Sequence, residues 1–175
     1  RVRIGHQQIT EVPISHFSDS SKIQNTILLG EHVKDAEIAL LMAQYYSSQN
    51  RFAGIPIRSE PRCGAGSNLT AHYKQLCDDG ERFSVAIVDS DRKCPKGALG
   101  STAKAILHAQ AARDNPPMLE VLILDCHEME NALPDAFYEE AFSTSVDHRD
   151  CAELLKRLSG AGEFEVRLHV DIKRG

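Results

Sequence analysis

Phe83-Ser84-Val85-Ala86-Ile87-Val88 runs directly into Asp89-Ser90-Asp91. A short apolar run without helical spacing, closed by turn residues, is the mark of a strand buried on both faces. Such a strand belongs to a parallel sheet, in which strands alternate with helices, and the flanking sequence carries that alternation. Upstream, Thr26-Ile27-Leu28-Leu29 ends at Gly30, and Ala36, Ile38, Ala39, Leu40, Met42 and Ala43 follow at helical spacing. Phe52–Ile57 reads as the next strand, and Leu69, Tyr73 and Leu76 as a helix after the Gly64-Ala65-Gly66 turn. Downstream, Ser101–Ala112 is an Ala-rich helix that stops before Asn115-Pro116-Pro117, and Met118–Leu124 is a further strand. Pro134–Phe142 and Arg149–Leu158 read as helices, the second ended by Ser159-Gly160-Ala161-Gly162. Glu165–Ile172 alternates polar and apolar with period two, which predicts a half-buried or edge strand. The expected architecture is α/β and Rossmann-like, a mostly parallel central sheet with helices on both faces over residues 26–175. A lead-in of little periodicity, residues 1–25, precedes it.

Composition narrows the classes. The chain has 175 residues, 42% hydrophobic and 26% charged, with 25 acidic against 20 basic residues, so it is neither a disordered chain nor a basic coat protein. No apolar run approaches the ~20 residues of a spanning helix. The first residues carry no secretory pattern, and with no initiator Met the sequence reads as trimmed or excerpted. Five scattered Cys without a C-x-x-C pair argue against a disulfide framework and a zinc knuckle, so a reducing cytoplasm is expected.

Ligands of parallel sheets bind beyond the carboxyl ends of the strands, and here those ends carry acids. Glu31 and Asp35 follow the first strand, Asp89 and Asp91 the third, and Asp125, Glu128 and Glu130 the fourth. Alternate carboxylates leaving a strand can address one hard cation, and oxygen donors of this kind suit Mg²⁺ or Mn²⁺. D-x-D by itself is a weak motif, since accidental turns also contain it; its place at a strand end strengthens it. Asp35 can equally serve the N-terminal end of its helix, and Asn131 a turn or a cap. His32 and His127 read as ordinary polar residues near a site before they read as ligands, although His127 lies beside the acids. Cys126 has no convincing base, which disfavours a cysteine hydrolase.

This arrangement resembles the Toprim domain. Thr26–Glu31 with His32-Val33-Lys34-Asp35 is similar to its opening motif, Ala86-Ile87-Val88-Asp89-Ser90-Asp91 to its D-x-D motif, and His127-Glu128-Met129-Glu130-Asn131 to the later acidic segment of overcoming-lysogenisation-defect nucleases and related bacterial defence proteins. The likeness spans roughly residues 26–140, and departs from the family in having His32 rather than Gly after the first acid. The resemblance implies a catalytic role for Glu31, Asp89 and Asp91, with Glu31 as acid–base or metal residue. It implies Asp89 and Asp91 as metal ligands, Asp35 and Glu130 as a second-metal set, and two Mg²⁺ or Mn²⁺ ions. It further implies nucleic acid as partner, DNA favoured, and a setting in a larger defence complex or beside an ATPase.

A phosphate partner has support of its own. From residue 92 to residue 113 the chain carries Arg92, Lys93, Lys96, Lys104 and Arg113 and no acid, a basic strip that begins at the D-x-D loop. The Cys63-Gly64-Ala65-Gly66-Ser67 segment is either an anion-receiving turn at a helix start or a tight turn alone. Mg²⁺-dependent nucleic-acid phosphodiester cleavage is therefore the expected function. A non-catalytic regulatory or scaffold subunit, and a metal-dependent phosphatase or nucleotide hydrolase, are the alternatives. Setting aside the six strand-end acids 31, 35, 89, 91, 128 and 130 leaves 19 acidic against 20 basic residues, so the net acidity resides in the candidate site.

Overall fold

The computed structural model describes residues 2–4, 7–9, 13–18, 24–49, 54, 56–112, 118–143, 149–160 and 164–172. The chain divides into two compact units, residues 1–87 with 105–122 and residues 88–104 with 123–175. Within the lead-in, β1 (Val2–Ile4) and β2 (Gln7–Ile9) pair antiparallel. The sheet contains β3 (Thr26–Gly30), β4 (Ser59–Cys63), β5 (Ser84–Val88) and β6 (Leu119–Ile123) in the order β4-β3-β5-β6, all parallel. Helices α1 (Val33–Gln49), α2 (Leu69–Asp79) and α3 (Ser101–Ala111) connect them, so the architecture is mixed α/β and Rossmann-like. The strand order reverses between β3 and β5, the kind of position at which open parallel sheets form a ligand crevice.

The first unit is built around Ile27, Leu29, Ala86 and Ile87 of the strands and Ala36, Leu69, Tyr73 and Ile106 of the helices, all buried. At the start of α1, Asp35 Oδ2 accepts the His32 backbone N–H at 2.8 Å, so this acid closes the helix N-terminus as the third residue of a capping box does. Gly80, at φ 56°, ends α2 with its N–H on the Leu76 carbonyl, a left-handed closure natural to glycine.

One expectation is corrected here, and one open alternative is decided. The second sheet strand is Ser59–Cys63, not Phe52–Ile57, of which residues 52, 53 and 55 lie outside the described residues. β4 lies at the end of the sheet order and contains Pro61, which an edge position tolerates because one side of the strand needs no ladder donor. Pairing with β3, from Thr26↔Ser59 to Gly30↔Cys63, decides this strand, not apolar content. The Gly64-Ala65-Gly66 segment is a structural turn and not an anion cradle. Its donors are engaged within the protein: Gly64 N–H to the Gly30 carbonyl at 2.7 Å, Ala65 N–H to Cys63 Sγ at 3.3 Å and Gly66 N–H to the Glu31 carbonyl at 3.1 Å. A Cβ on Gly64 would overlap the Leu69 side chain and come 2.9 Å from the Gly30 carbonyl oxygen, so glycine is required by close approach.

In the second unit, the turn Met129–Ala132 leads to α4 (Asp135–Phe142), α5 (Arg149–Gly160) and the short α6 (Phe164–Arg167). Tyr138 of α4 is buried, edge-on to Phe137 and tilted against Phe142, and α5 packs on both α4 and α6. The strand expected over Glu165–Ile172 is replaced by α6 and a turn. The alternation is present but inverted: Val166 is 51% exposed, whereas Arg167 and His169 are buried. Arg167 donates to the carbonyls of Asn131 and Leu133 and pairs with Asp135 at 3.1 Å, while Asn131 Nδ2 donates to the carbonyls of Arg167 and Val170 at 2.9 and 2.8 Å. Polar side chains that find main-chain partners turn inward, and period two then carries no information about sheet pairing.

Removing the Arg167 guanidinium leaves two carbonyls and Asp135 without it. Arg167→Met is expected to lower the unfolding free energy by about 3 kcal/mol. Urea titration against Arg157→Met, a change at an exposed residue of α5, provides the comparison.

Candidate metal centre

The loop leaving β5 turns sharply. Ser90 is fully buried; its Oγ donates to the Cys126 carbonyl at 2.5 Å and accepts the Arg92 N–H at 3.2 Å. Asp91 follows in the left-handed region at φ 53°, a conformation that Asp tolerates better than most residues. It is held by its N–H on the His127 carbonyl at 2.9 Å. Gly100 lies against the Asp91 carboxylate so closely that a Cβ there would collide with it, and the Gly100 N–H bonds the Ser90 carbonyl at 2.9 Å.

The kink separates the roles of the two D-x-D acids. Asp89 Oδ1 accepts the Met129 N–H at 3.0 Å. Asp91 instead joins His127 and Glu128, and one ligand atom from each of these three residues lies within 4.8 Å of the others. Among the described residues this is the one His/Cys/Asp/Glu group so gathered. The sequence reading places His127 outside the ligand set; its place beside Glu128 and Glu130 was the available signal, but its approach to Asp91 depends on the backbone bond between residues 91 and 127.

His127 is 5% exposed. Its Nδ1 is 3.0 Å from the Arg92 carbonyl, its backbone N–H donates to the Leu168 carbonyl at 2.7 Å, and its Nε2 is 3.9 Å from Glu128 Oε1. His169 Nδ1 lies 3.2 Å from the same Arg92 carbonyl. Asn131, read from sequence as a turn or cap residue, is a cap: its Oδ1 accepts the Glu128 N–H at 2.9 Å. Together these bonds position the cluster from behind.

The remaining sequence-derived residues fall as follows. Glu31 and Asp35 lie in the first unit, at the end of β3 and in the first turn of α1; the Glu31 carbonyl accepts from Gly66, and Asp35 caps the helix. Glu130 is partly buried in the second unit, where its carbonyl accepts the Tyr138 hydroxyl at 2.6 Å. Arg92, Lys93, Lys96 and Lys104 lie in the second unit, the lysines exposed, whereas Arg113 is outside the described residues.

Cys63, Cys77, Cys94 and Cys126 are free thiols. Burial first, and the Asp89 charge second, push the Cys126 thiol from an ordinary 9.0 up to about 11, the opposite of what a nucleophile needs. Burial pushes Tyr138 from 10.0 to about 12.

No protein-family model matches the chain, and neither the curated proteins nor the solved structures contain a significant match. The class is therefore defined by fold and site together: a Rossmann-like α/β protein with an Asp–His–Glu cluster. No helix among the described residues is long and apolar enough to cross a membrane.

The folded state holds Cys126 and Tyr138 neutral, so their contribution to stability is complete below 9.0 and 10.0 and is lost as pH rises through about 11 and about 12. Thermal unfolding followed from neutral pH upward should show this alkaline decline. In Cys126→Ala the part of the decline between 9.0 and about 11 should be shallower.

Proposed function

We propose that this protein cleaves nucleic-acid phosphodiesters in a reaction dependent on a divalent cation, with DNA the favoured substrate. The observation that carries this reading is the gathering of Asp91, His127 and Glu128 within 4.8 Å, in the same unit as Arg92, Lys93, Lys96 and Lys104. Acids alone do not choose a substrate; acids followed in the chain by cations suit a phosphate backbone. The resemblance to Toprim domains supports the same reading and adds Glu31, Asp35, Asp89 and Glu130 to the catalytic and metal set.

The donor set fits a divalent cation, since two carboxylates and an imidazole supply charge and lone pairs at short range. Bound there, such an ion would lower the pKa of a water and offset charge on the phosphate. Asp91 and Glu128 supply the carboxylate oxygens, and the Arg92 carbonyl orients the His127 ring. The exposed Lys93 and Lys96, close behind Asp91 in the chain, hold the strand through its phosphates; an acid–base role for Glu31 follows from the resemblance alone. Two Mg²⁺ or Mn²⁺ ions, a cytoplasmic setting in phage defence and an ATPase partner follow from the resemblance.

The wild type should nick supercoiled DNA with Mg²⁺ or Mn²⁺, and Asp91→Ala, Asp89→Ala and Glu31→Ala should each lower the rate by more than about 100-fold. Lys93→Ala with Lys96→Ala should instead weaken substrate binding and flatten its salt dependence. Undiminished cleavage in all three acid variants, or binding of DNA with no cleavage of DNA or RNA under any of these ions, would replace catalysis by the scaffold reading. Phosphate release from nucleotides alone would favour the phosphatase reading.

A further inference from the structure

We infer that Asp91, His127 and Glu128 form a mixed nitrogen–oxygen site selective for a first-row transition ion, Mn²⁺ or a later one, over Mg²⁺. The inference goes beyond the nuclease reading and does not depend on it, because it concerns which ion these side chains hold and not what the ion then does.

The tautomer of His127 is the starting point. Its Nδ1 is 3.0 Å from the Arg92 carbonyl oxygen, which can only accept, so Nδ1 carries the hydrogen. In the neutral ring Nε2 then presents a lone pair. The side chain is more than nine-tenths buried, and Nε2 makes no hydrogen bond among the described residues; Glu128 Oε1, at 3.9 Å, is beyond that range. A buried imidazole with one nitrogen tied to a backbone carbonyl and the other on the side of the Glu128 carboxylate is in the orientation in which histidines ligate metals.

The set is also held in place. The Asp91 N–H bonds the His127 carbonyl at 2.9 Å, the His127 N–H bonds the Leu168 carbonyl at 2.7 Å and Glu128 N–H bonds Asn131 Oδ1 at 2.9 Å. Both imidazoles, His127 and His169, address the Arg92 carbonyl, which uses both of its lone-pair directions and fixes the ring behind the site. Ligand atoms ~2.0–2.2 Å from a common ion lie no more than ~4.4 Å apart. Ligand atoms gathered within 4.8 Å reach that span by a few tenths of an ångström of side-chain movement.

The donor chemistry then chooses among ions. Mg²⁺ takes near-octahedral oxygen and keeps its waters; Mn²⁺ shares the preference for oxygen but stands at the foot of the first-row series, along which affinity for a mixed nitrogen–oxygen site rises, and imidazole suits Fe²⁺ and Zn²⁺ best. One nitrogen among three donors therefore shifts selectivity away from Mg²⁺ without excluding it.

Titration calorimetry of the full chain with Mn²⁺ and with Mg²⁺, in a Cys63→Ser, Cys94→Ser background that removes the two thiols exposed among the described residues, tests this without any nucleic acid. Mn²⁺ should bind at least about tenfold more tightly than Mg²⁺, and His127→Gln, checked for folding by circular dichroism, should erase that difference while leaving Mg²⁺ affinity within about threefold. Pulsed electron paramagnetic resonance of bound Mn²⁺ should detect a histidine nitrogen coupling in the parent protein, an observation that does not require a folded variant. Equal affinity for the two ions, no binding of either, a preference that survives in folded His127→Gln, or bound Mn²⁺ without nitrogen coupling would each overturn the inference.

Discussion

Arg167 and Asn131 exchange hydrogen bonds through their side chains and each other's main chain, and the second unit is organised around that exchange. The guanidinium donates to the carbonyls of residues 131 and 133 and pairs with Asp135, and the Asn131 amide donates to the carbonyls of residues 167 and 170. Asn131 is fully buried and Arg167 3% exposed, so neither group has water as a ready substitute. A buried polar pair of this kind adds less to net stability than its geometry suggests, but losing one partner strands the other, which makes the arrangement specific. With the chain around residues 167–170 held against the acidic segment, the Leu168 carbonyl receives the His127 N–H and His169 reaches the Arg92 carbonyl.

The cluster inherits its geometry from this support. Asp91 is reached through a left-handed turn, bonded to the His127 backbone and packed against Gly100, where no side chain fits. Carboxylates kept close to a buried imidazole raise each other's electrostatic energy unless a positive charge or a proton intervenes. The neighbourhood registers that negative potential, since Asp89, Asp125 and Glu130 all add to the upward displacement of the Cys126 thiol. Burial first, and these charges second, make Cys126 inert.

Much of the sheet was legible from local pattern. The runs at Ile27–Leu29 and Val85–Val88 are buried except for the half-buried Leu28 and Val85, as near-continuous apolar strands should be, and the helices over 101–111 and 135–142 follow from their composition and stop signals. Two elements were not. β4 is polar and contains a proline, so nothing in its own composition distinguishes it from a loop; its partner strand supplies the reason for it to be extended. Residues 165–172 carry a strand-like alternation whose polar members are the inward ones, because the acceptors that satisfy Arg167 lie about 35 residues earlier in the chain.

The sequence by itself determined that this is an α/β chain with acids at the ends of its strands, since apolar runs, helix spacing and the residue after each run are local properties. It also identified Asp91 and Glu128 as acids of interest, and Asn131 as a turn or cap residue. Only the tertiary structure decided that Asp91 parts from Asp89 to meet His127, that Asp35 caps a helix and that the Gly64-Ala65-Gly66 turn has its amides engaged. The physical reason is the range of the interactions: strand and helix preferences act over a few residues, whereas the orientation of the His127 ring is set by a carbonyl 35 residues away in the chain.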